Sequence, residues 1–188
     1  LLTAVLLVKN DQGKIYDRFR HRVMFPIKDR RGRVVGFGGR VLNNEDKPKY
    51  LNSPETPIFH KGEILYGLYE AKKALSDFKQ TLLVEGYMDV VALHEHGLPF
   101  AMAALGTATS ETHIKTLLKL SKKLIICFDG DNAGRQAALR ALNISLPLLT
   151  GQENIKFLFL PDGEDPDSLV RKEGRESFMA RADQAMGL

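Results

Sequence analysis

The sequence predicts an α/β protein: a parallel sheet flanked by helices, preceded by a smaller, basic part of mixed α+β character. Three observations lead there. Beyond residue 65, short apolar runs alternate with amphipathic stretches, the pattern of strands joined by crossover helices. Before it, the texture is short strands with glycine turns. Charge divides along the same line: Lys9 to Lys49 holds twelve basic and five acidic residues, a net +7, and the remainder holds 15 basic and 18 acidic, a net −3.

The elements follow in order. Val23–Ile27 and Val34–Phe37 flank the polar, glycine-containing stretch 28–33 and predict a β-hairpin, with Arg30, Arg31 and Arg33 at its solvated tip. Gly38 and Gly39 permit an unusual backbone before Val41 and Leu42, and residues 43–57 read as loop. The spacing of Leu68, Ala71 and Leu75 predicts a helix over 66–78. Strands are expected at 81–84, 99–103, 124–128 and 155–160, and helices at 87–96, 110–120, 133–149 and from 167 onward. The boundary between the two parts falls at 60–66.

Bulk properties exclude several classes. The opening apolar run, Leu1 to Val8 broken by Thr3, is far short of the roughly 20 residues that span a bilayer. It has no basic flank or cleavage site of a secretory signal. The single cysteine, Cys127, cannot form an internal disulfide and reads as a small core residue of a cytoplasmic protein. The chain opens on Leu1 rather than methionine, so a fragment of a longer protein is expected. A basic segment beside a slightly acidic one suggests a polyanion surface next to a cation site.

Chemistry concentrates in three acidic clusters, each directly after an apolar strand. These are Glu85, with Asp89 four residues on; Asp129 with Asp131; and Asp165 with Asp167. Ligands of open parallel sheets bind at the carboxyl ends of the strands. Carboxylates gathered there would repel one another unless neutralised, and hard divalent cations with oxygen preference are the natural neutralisers. Glycine after both Glu85 and Asp129 allows a sharp turn at the strand end. Simpler roles coexist: Asp165 before Pro166 suits a helix N-cap, and Asp89 suits an exposed first-turn position. His94 and His96 lie two apart on a helix, face different ways, and read as surface residues. In Gly106–Ser110, Ser110 is a helix cap, and free N–H groups there suit a phosphate.

Glu85-Gly-Tyr-Met-Asp89, followed about forty residues on by Phe128-Asp-Gly-Asp-Asn-Ala-Gly134, is similar to the Toprim signature shared by bacterial primases, type IA and type II topoisomerases and some nucleases. Further segments narrow the resemblance. They are Arg18-Phe-Arg-His-Arg-Val-Met-Phe-Pro-Ile27, Gly36-Phe-Gly-Gly-Arg40, Pro48-Lys-Tyr-Leu-Asn-Ser-Pro-Glu-Thr56, Phe59-His-Lys-Gly62, Leu105-Gly-Thr-Ala108 and Leu160-Pro-Asp-Gly-Glu-Asp-Pro-Asp167. Together they resemble the catalytic core of the bacterial DNA primases, the DnaG family.

The resemblance implies residues 1–65 as the basic N-terminal part of a polymerising core, incomplete at its start. It implies 66–170 as a Toprim metal-binding domain and 171–188 as the start of a truncated helical subdomain. By the same resemblance, Glu85, Asp129 and Asp131 are catalytic and hold Mg²⁺, for which Mn²⁺ can substitute, with Asp165 and Asp167 adding carboxylates. Lys49, Tyr50, Lys61, Arg20, Arg22 and Arg40 would meet nucleotide and template. The implied activity is synthesis of short RNA primers on single-stranded DNA from nucleoside triphosphates by two-metal nucleotidyl transfer. Zinc and a replicative helicase would engage modules outside this chain. Two alternatives stand beside it: a module that binds metal, nucleotides and DNA without efficient synthesis, and a strand-cleaving topoisomerase or nuclease.

Overall fold

The structure, a computed structural model, describes residues 5–43, 45–106 and 108–187. Leu1 to Ala4 of the opening apolar run lie outside the described residues, as does Thr107 of the expected phosphate-holding loop. Two compact units divide the chain, Leu1–His60 and Lys61–Leu188.

In the first unit β1 (Leu7–Lys9) pairs antiparallel with β2 (Ile15–Asp17). β3 (Arg22–Lys28), β4 (Val34–Val41) and β5 (Tyr50–Asn52) form an antiparallel sheet in that spatial order. The expected hairpin is β3–β4. Asp29 organises its turn by accepting from the Arg31 and Arg33 backbone N–H groups at 2.9 and 3.0 Å and from the Arg33 guanidinium at 2.7 Å. Gly38 and Gly39 do not break the strand, which runs on to Val41. Gly39 serves close approach instead, since a Cβ there would stand 2.9 Å from the Phe19 ring. The loop expected over 43–57 contains β5, because the Ser53 N–H bonds Phe37 O and the Ser53 hydroxyl accepts from the Phe37 N–H. Ile27 and Phe59, both fully buried, supply the apolar centre.

The second unit begins with β6 (Leu65–Tyr66) and α1 (Leu68–Ala74). There follow β7 (Thr81–Val84), α2 (Tyr87–Glu95), β8 (Ala101–Ala104), α3 (Glu111–Leu120), β9 (Lys123–Phe128), α4 (Asn132–Ser145) and β10 (Asn154–Phe159). α5 (Pro166–Asp183) is two helical runs meeting at Gly174, and β11 (Met186–Gly187) closes the edge. The sheet order is β11-β10-β9-β7-β8-β6; β10, β9, β7 and β8 are mutually parallel, and both edge strands are antiparallel.

Period-2 alternation along these strands feeds two cores. Leu82, Val84, Ile125 and Cys127 pack with Val90 and Leu93 of α2 and with Leu169, Val170 and Phe178 of α5. Leu83, Leu124, Ile126 and Phe128 pack on the other face with α1, α3 and α4 through Leu68, Ile114, Leu117 and Ala138. Cys127 is thus a core residue, as expected. Phe178, Ala182 and Ala185 belong to the first core, so the second half of α5 packs on this sheet.

Chain order explains the two helical layers. From β7 the chain steps outward to β8 through α2, then returns through α3 to β9 on the far side of β7 and continues through α4 to β10. Crossovers of one hand place helices of opposite stepping direction on opposite faces. The direction reverses between β7 and β9, which opens a crevice at their carboxyl ends.

At the opposite end of the sheet, the starts of β9 and β10 are tied by Glu153. Its carboxylate, only 4% exposed, meets Lys122 Nζ at 2.9 Å and the Thr150 N–H at 2.8 Å. The Lys122 ammonium first, and then the Thr150 N–H, hold its carboxyl well below the ordinary 4.5, at about 2. A carboxyl depressed by folding adds stability that is complete above its unfolded value and disappears as pH falls through its folded value. Glu153→Gln should therefore lower Tm at neutral pH, and the gap to the parent should close between pH 4.5 and about 2, read by circular-dichroism melts.

Candidate active site

Glu85 follows β7 directly, and Asp129 follows β9, so both stand at the crevice where the chain reverses direction. The Asp129–Gly130–Asp131 turn is held from three sides. The Gly130 N–H bonds Glu164 O at 3.1 Å. Asp131 caps α4 by accepting from the Gly134 N–H at 2.8 Å. Close packing excludes side chains at both glycines: a Cβ at Gly130 would lie 2.0 Å from Pro161 O, and one at Gly134 would lie 2.1 Å from Asp129 O. The turn is therefore fixed against the backbone leaving β10.

The carboxylates sense one another. Glu85 is exposed at the mouth, yet desolvation on its inner side raises its carboxyl above the ordinary value; an Asp129 N–H bond and Arg140 oppose this, and the Asp131 carboxylate adds to it. Asp89 corrects the expectation of an exposed first-turn residue. It is 8% exposed and accepts from the Gly86 N–H at 3.0 Å and the Asp167 N–H at 3.4 Å. Burial first, and then the Asp129 and Asp165 carboxylates, push its carboxyl up to about 7. The Cys127 thiol is raised by burial and by Asp89, Asp129 and Glu85.

Charge links the Glu85 carboxylate to Asp131, and the Asp89 carboxylate to Asp129 and Asp165, whereas Asp129 meets Glu85 and Asp167 meets Asp89 through backbone N–H groups. Asp165 caps α5 by accepting from the Ser168 N–H at 2.6 Å, with Pro166 at the first helical position, as the sequence suggests. Asp167 pairs with Arg171 at 2.5 Å. Among the described residues, no three His, Cys, Asp or Glu side chains already form a group able to hold a metal. The donor set nonetheless fits a hard divalent cation, being all carboxylate oxygen and mutually repelling. The N-termini of α2, α4 and α5 share this end of the sheet, and their partial positive charge offsets some of the crowding.

The basic residues fall into groups of their own. In the first unit the Arg40 guanidinium lies 5.7 Å and the Lys49 ammonium 5.6 Å from the centre of the Tyr50 ring, so an exposed aromatic face carries two cations. Arg20 lies 4.7 Å over Tyr16 and lines a cavity of about 480 Å³ with Asp17, Phe19 and His21. Arg22 is occupied differently, donating to Pro48 O at 2.7 Å, Gly39 O at 3.3 Å and Lys49 O at 3.4 Å. It braces the loop that carries Lys49 and Tyr50. In the second unit Lys61 precedes β6, and its carbonyl is held by His113 at 3.0 Å. His94 and His96 are half-buried, bonded to Ala101 O and Ala92 O.

Sequence reasoning misplaced Asp89 as an exposed residue and passed over Arg140 and His113. For Asp89 a signal existed, an acid three residues after Gly86, where it closes the cap of α2. Nothing local marks Arg140, because its relation to Glu85 depends on where α4 lies.

Gly130→Ala should destabilise the protein by about 1–3 kcal/mol, read as a lower Tm, because backbone rather than a flexible side chain stands in the way. Arg22→Ala should also lower Tm, because it removes the donations to Gly39 O, Pro48 O and Lys49 O that hold the Lys49 loop.

Comparison with known proteins agrees with this layout. Residues 1–72 match the family described as DNA primase catalytic core, N-terminal domain, and residues 82–170 match the Toprim-like family. Over all 188 residues the chain is 61% identical to the DNA primase of Escherichia coli K12, of which it covers 32%. It is 62% identical over 185 residues, 98% of the chain, to the DNA primase of Pseudomonas aeruginosa, of which it covers 28%. The chain thus spans about a third of the length of these relatives. A solved DnaG primase catalytic domain bound to single-stranded DNA superposes with a TM-score of 0.94 at 60% identity, covering 100% of this chain and 60% of that one. The chain belongs to the bacterial DnaG primase family, spanning the N-terminal part of the catalytic core and the Toprim-like segment that follows it.

Proposed function

We propose that this chain is the polymerising centre of a primase, which joins ribonucleotides into short RNA primers on a single-stranded DNA template. The observation that supports this reading is the position of Glu85 directly after β7 and of Asp129 and Asp131 directly after β9, at the crevice where the chain reverses direction, in a chain whose N-terminal part also matches primase catalytic cores. That N-terminal match favours polymerisation over strand cleavage.

In this reading Glu85, Asp129 and Asp131 hold divalent cations, Mg²⁺ with Mn²⁺ as substitute, and Asp165 and Asp167 lend further carboxylates. Such ions supply activation of a hydroxyl and neutralisation of the charge that develops on the phosphates. The chain's own contribution is positioning. Lys61, Lys49, Arg20 and Arg40 bind nucleotide or template phosphates, and Tyr50 offers a ring face to a base. Arg22 keeps the Lys49 loop in place. Asp89, accepting from the Gly86 and Asp167 N–H groups, ties α2 to α5 and so fixes Asp165 and Asp167 relative to Asp129. The residues serve as a basic N-terminal part over 1–65 and a metal-binding part over 66–170. Zinc and the replicative helicase act on segments outside this chain, in the cytoplasm.

An Asp129→Ala, Asp131→Ala double variant tests the centre. Calorimetric titration with Mn²⁺ should show saturable binding in the parent and none in the variant, and primer yield of the longer protein should fall by on the order of 10²-fold or more. Equal Mn²⁺ binding in both, or none in either, would remove the carboxylate centre from the reading.

A further inference from the structure

His113 is completely buried in the first turn of α3, and both of its ring nitrogens are occupied. Nδ1 accepts from the Ser110 backbone N–H at 3.2 Å. A backbone N–H can only donate, so Nδ1 is unprotonated, and the proton sits on Nε2, which donates to Lys61 O at 3.0 Å. Ser110 is used twice as well. Its hydroxyl oxygen accepts from the His113 N–H at 3.1 Å while its O–H donates to Gly62 O at 2.6 Å. The usual reciprocal cap ends at the helix. Here both members reach onward, across about 50 residues of sequence, to grip two consecutive carbonyls, those of Lys61 and Gly62. Burial holds the ring below its ordinary value, which keeps the neutral tautomer this arrangement needs.

Helix capping alone needs neither outward bond: a serine with almost any third residue would cap α3. What the second pair of bonds adds is a fixed main chain at the residue whose ammonium the functional reading sets against phosphate. We propose that the Ser110–His113 cap of α3 is the positioning device for Lys61, fixing the height and direction from which its side chain approaches a nucleotide or template phosphate. This rests on the reading of Lys61 given above. His113 itself, fully enclosed, touches no substrate and acts through Lys61.

Two replacements separate the ring's two roles. His113→Asn keeps an acceptor near Nδ1 for the cap and cannot reach Lys61 O; His113→Gln places an amide near Nε2 and gives up the cap acceptor. In steady-state primer synthesis by the intact protein, His113→Asn should raise KM for nucleoside triphosphate about 3- to 10-fold, the range of one lost hydrogen bond, with kcat within about twofold. His113→Gln should restore KM toward the parent. In a Lys61→Ala background, His113→Asn should change KM by less than about twofold, because coupled positions are not additive. If Lys61→Ala raises KM and His113→Asn leaves it unchanged, or its effect persists undiminished in the Lys61→Ala background, the positioning role is overturned and the Lys61 reading stands. If Lys61→Ala leaves both KM and template binding unchanged, the Lys61 reading falls and takes the positioning role with it. Should His113→Asn fail to fold, Ser110→Ala enters the same cycle with the same expected outcomes, since its hydroxyl holds the neighbouring carbonyl.

Discussion

A Cβ at Gly130 would stand 2.0 Å from Pro161 O, so the turn between Asp129 and Asp131 lies in direct backbone contact with the chain leaving β10. That contact sets the distance between two of the three acidic strand ends, and the Gly130 N–H bond to Glu164 O fixes their register. Gly134 repeats the device one turn later, seating the start of α4 on Asp129 O. Cap, turn and carboxylates are consequently one rigid object. A site built from three separate loops would have to order each at its own entropic cost, whereas here the sheet has already done so.

Rigidity of this kind has an electrostatic cost. Carboxylates that cannot move apart repel, and this repulsion adds to burial, the larger cause, in raising the carboxyls of Glu85 and Asp89. The fold answers with backbone donors rather than with lysines. The N–H groups of Asp129, Gly86, Asp167, Gly134 and Ser168 each meet an acidic side chain, and three helix N-termini stand behind them. Neutral donors temper the negative field without cancelling it, which leaves the crevice attractive to cations. Arg140 and Arg171 remain at its margins.

Much of this was legible from residue order alone. The four central strands carry near-continuous apolar runs, which reflects burial on both faces, and acids mark where three of those runs end. Asp165 could be read as a cap because Pro166 follows it. What escaped was set by tertiary placement. The segment 43–57 has loop composition, yet β5 forms there because β4 offers an edge. Met186 and Gly187 carry no strand signal, and β11 exists because β10 offers its free edge to them. Asp89 has the spacing of an exposed acid, and only the docking of α5 on α2 encloses it. Arg22 and its neighbours look alike as a basic cluster, and nothing in the sequence tells the brace from the cations that stand over aromatic rings.

The pairing of β7 with β9 brings together Thr81 and Leu124, residues separated by the whole of α2, β8 and α3. Contacts between distant parts of a chain form more slowly than local ones, because a long loop must close before any pairing rewards it. The β7–α2–β8 unit can assemble from its own neighbourhood, but it holds only one of the acidic strand ends. The crevice exists once β9 has inserted on the far side of β7, and it gains its last carboxylates when β10 and α5 dock after that. The long-range pairings that complete the crevice are therefore the same ones that complete the two apolar layers, so crowded negative charge appears only on a scaffold able to bear it.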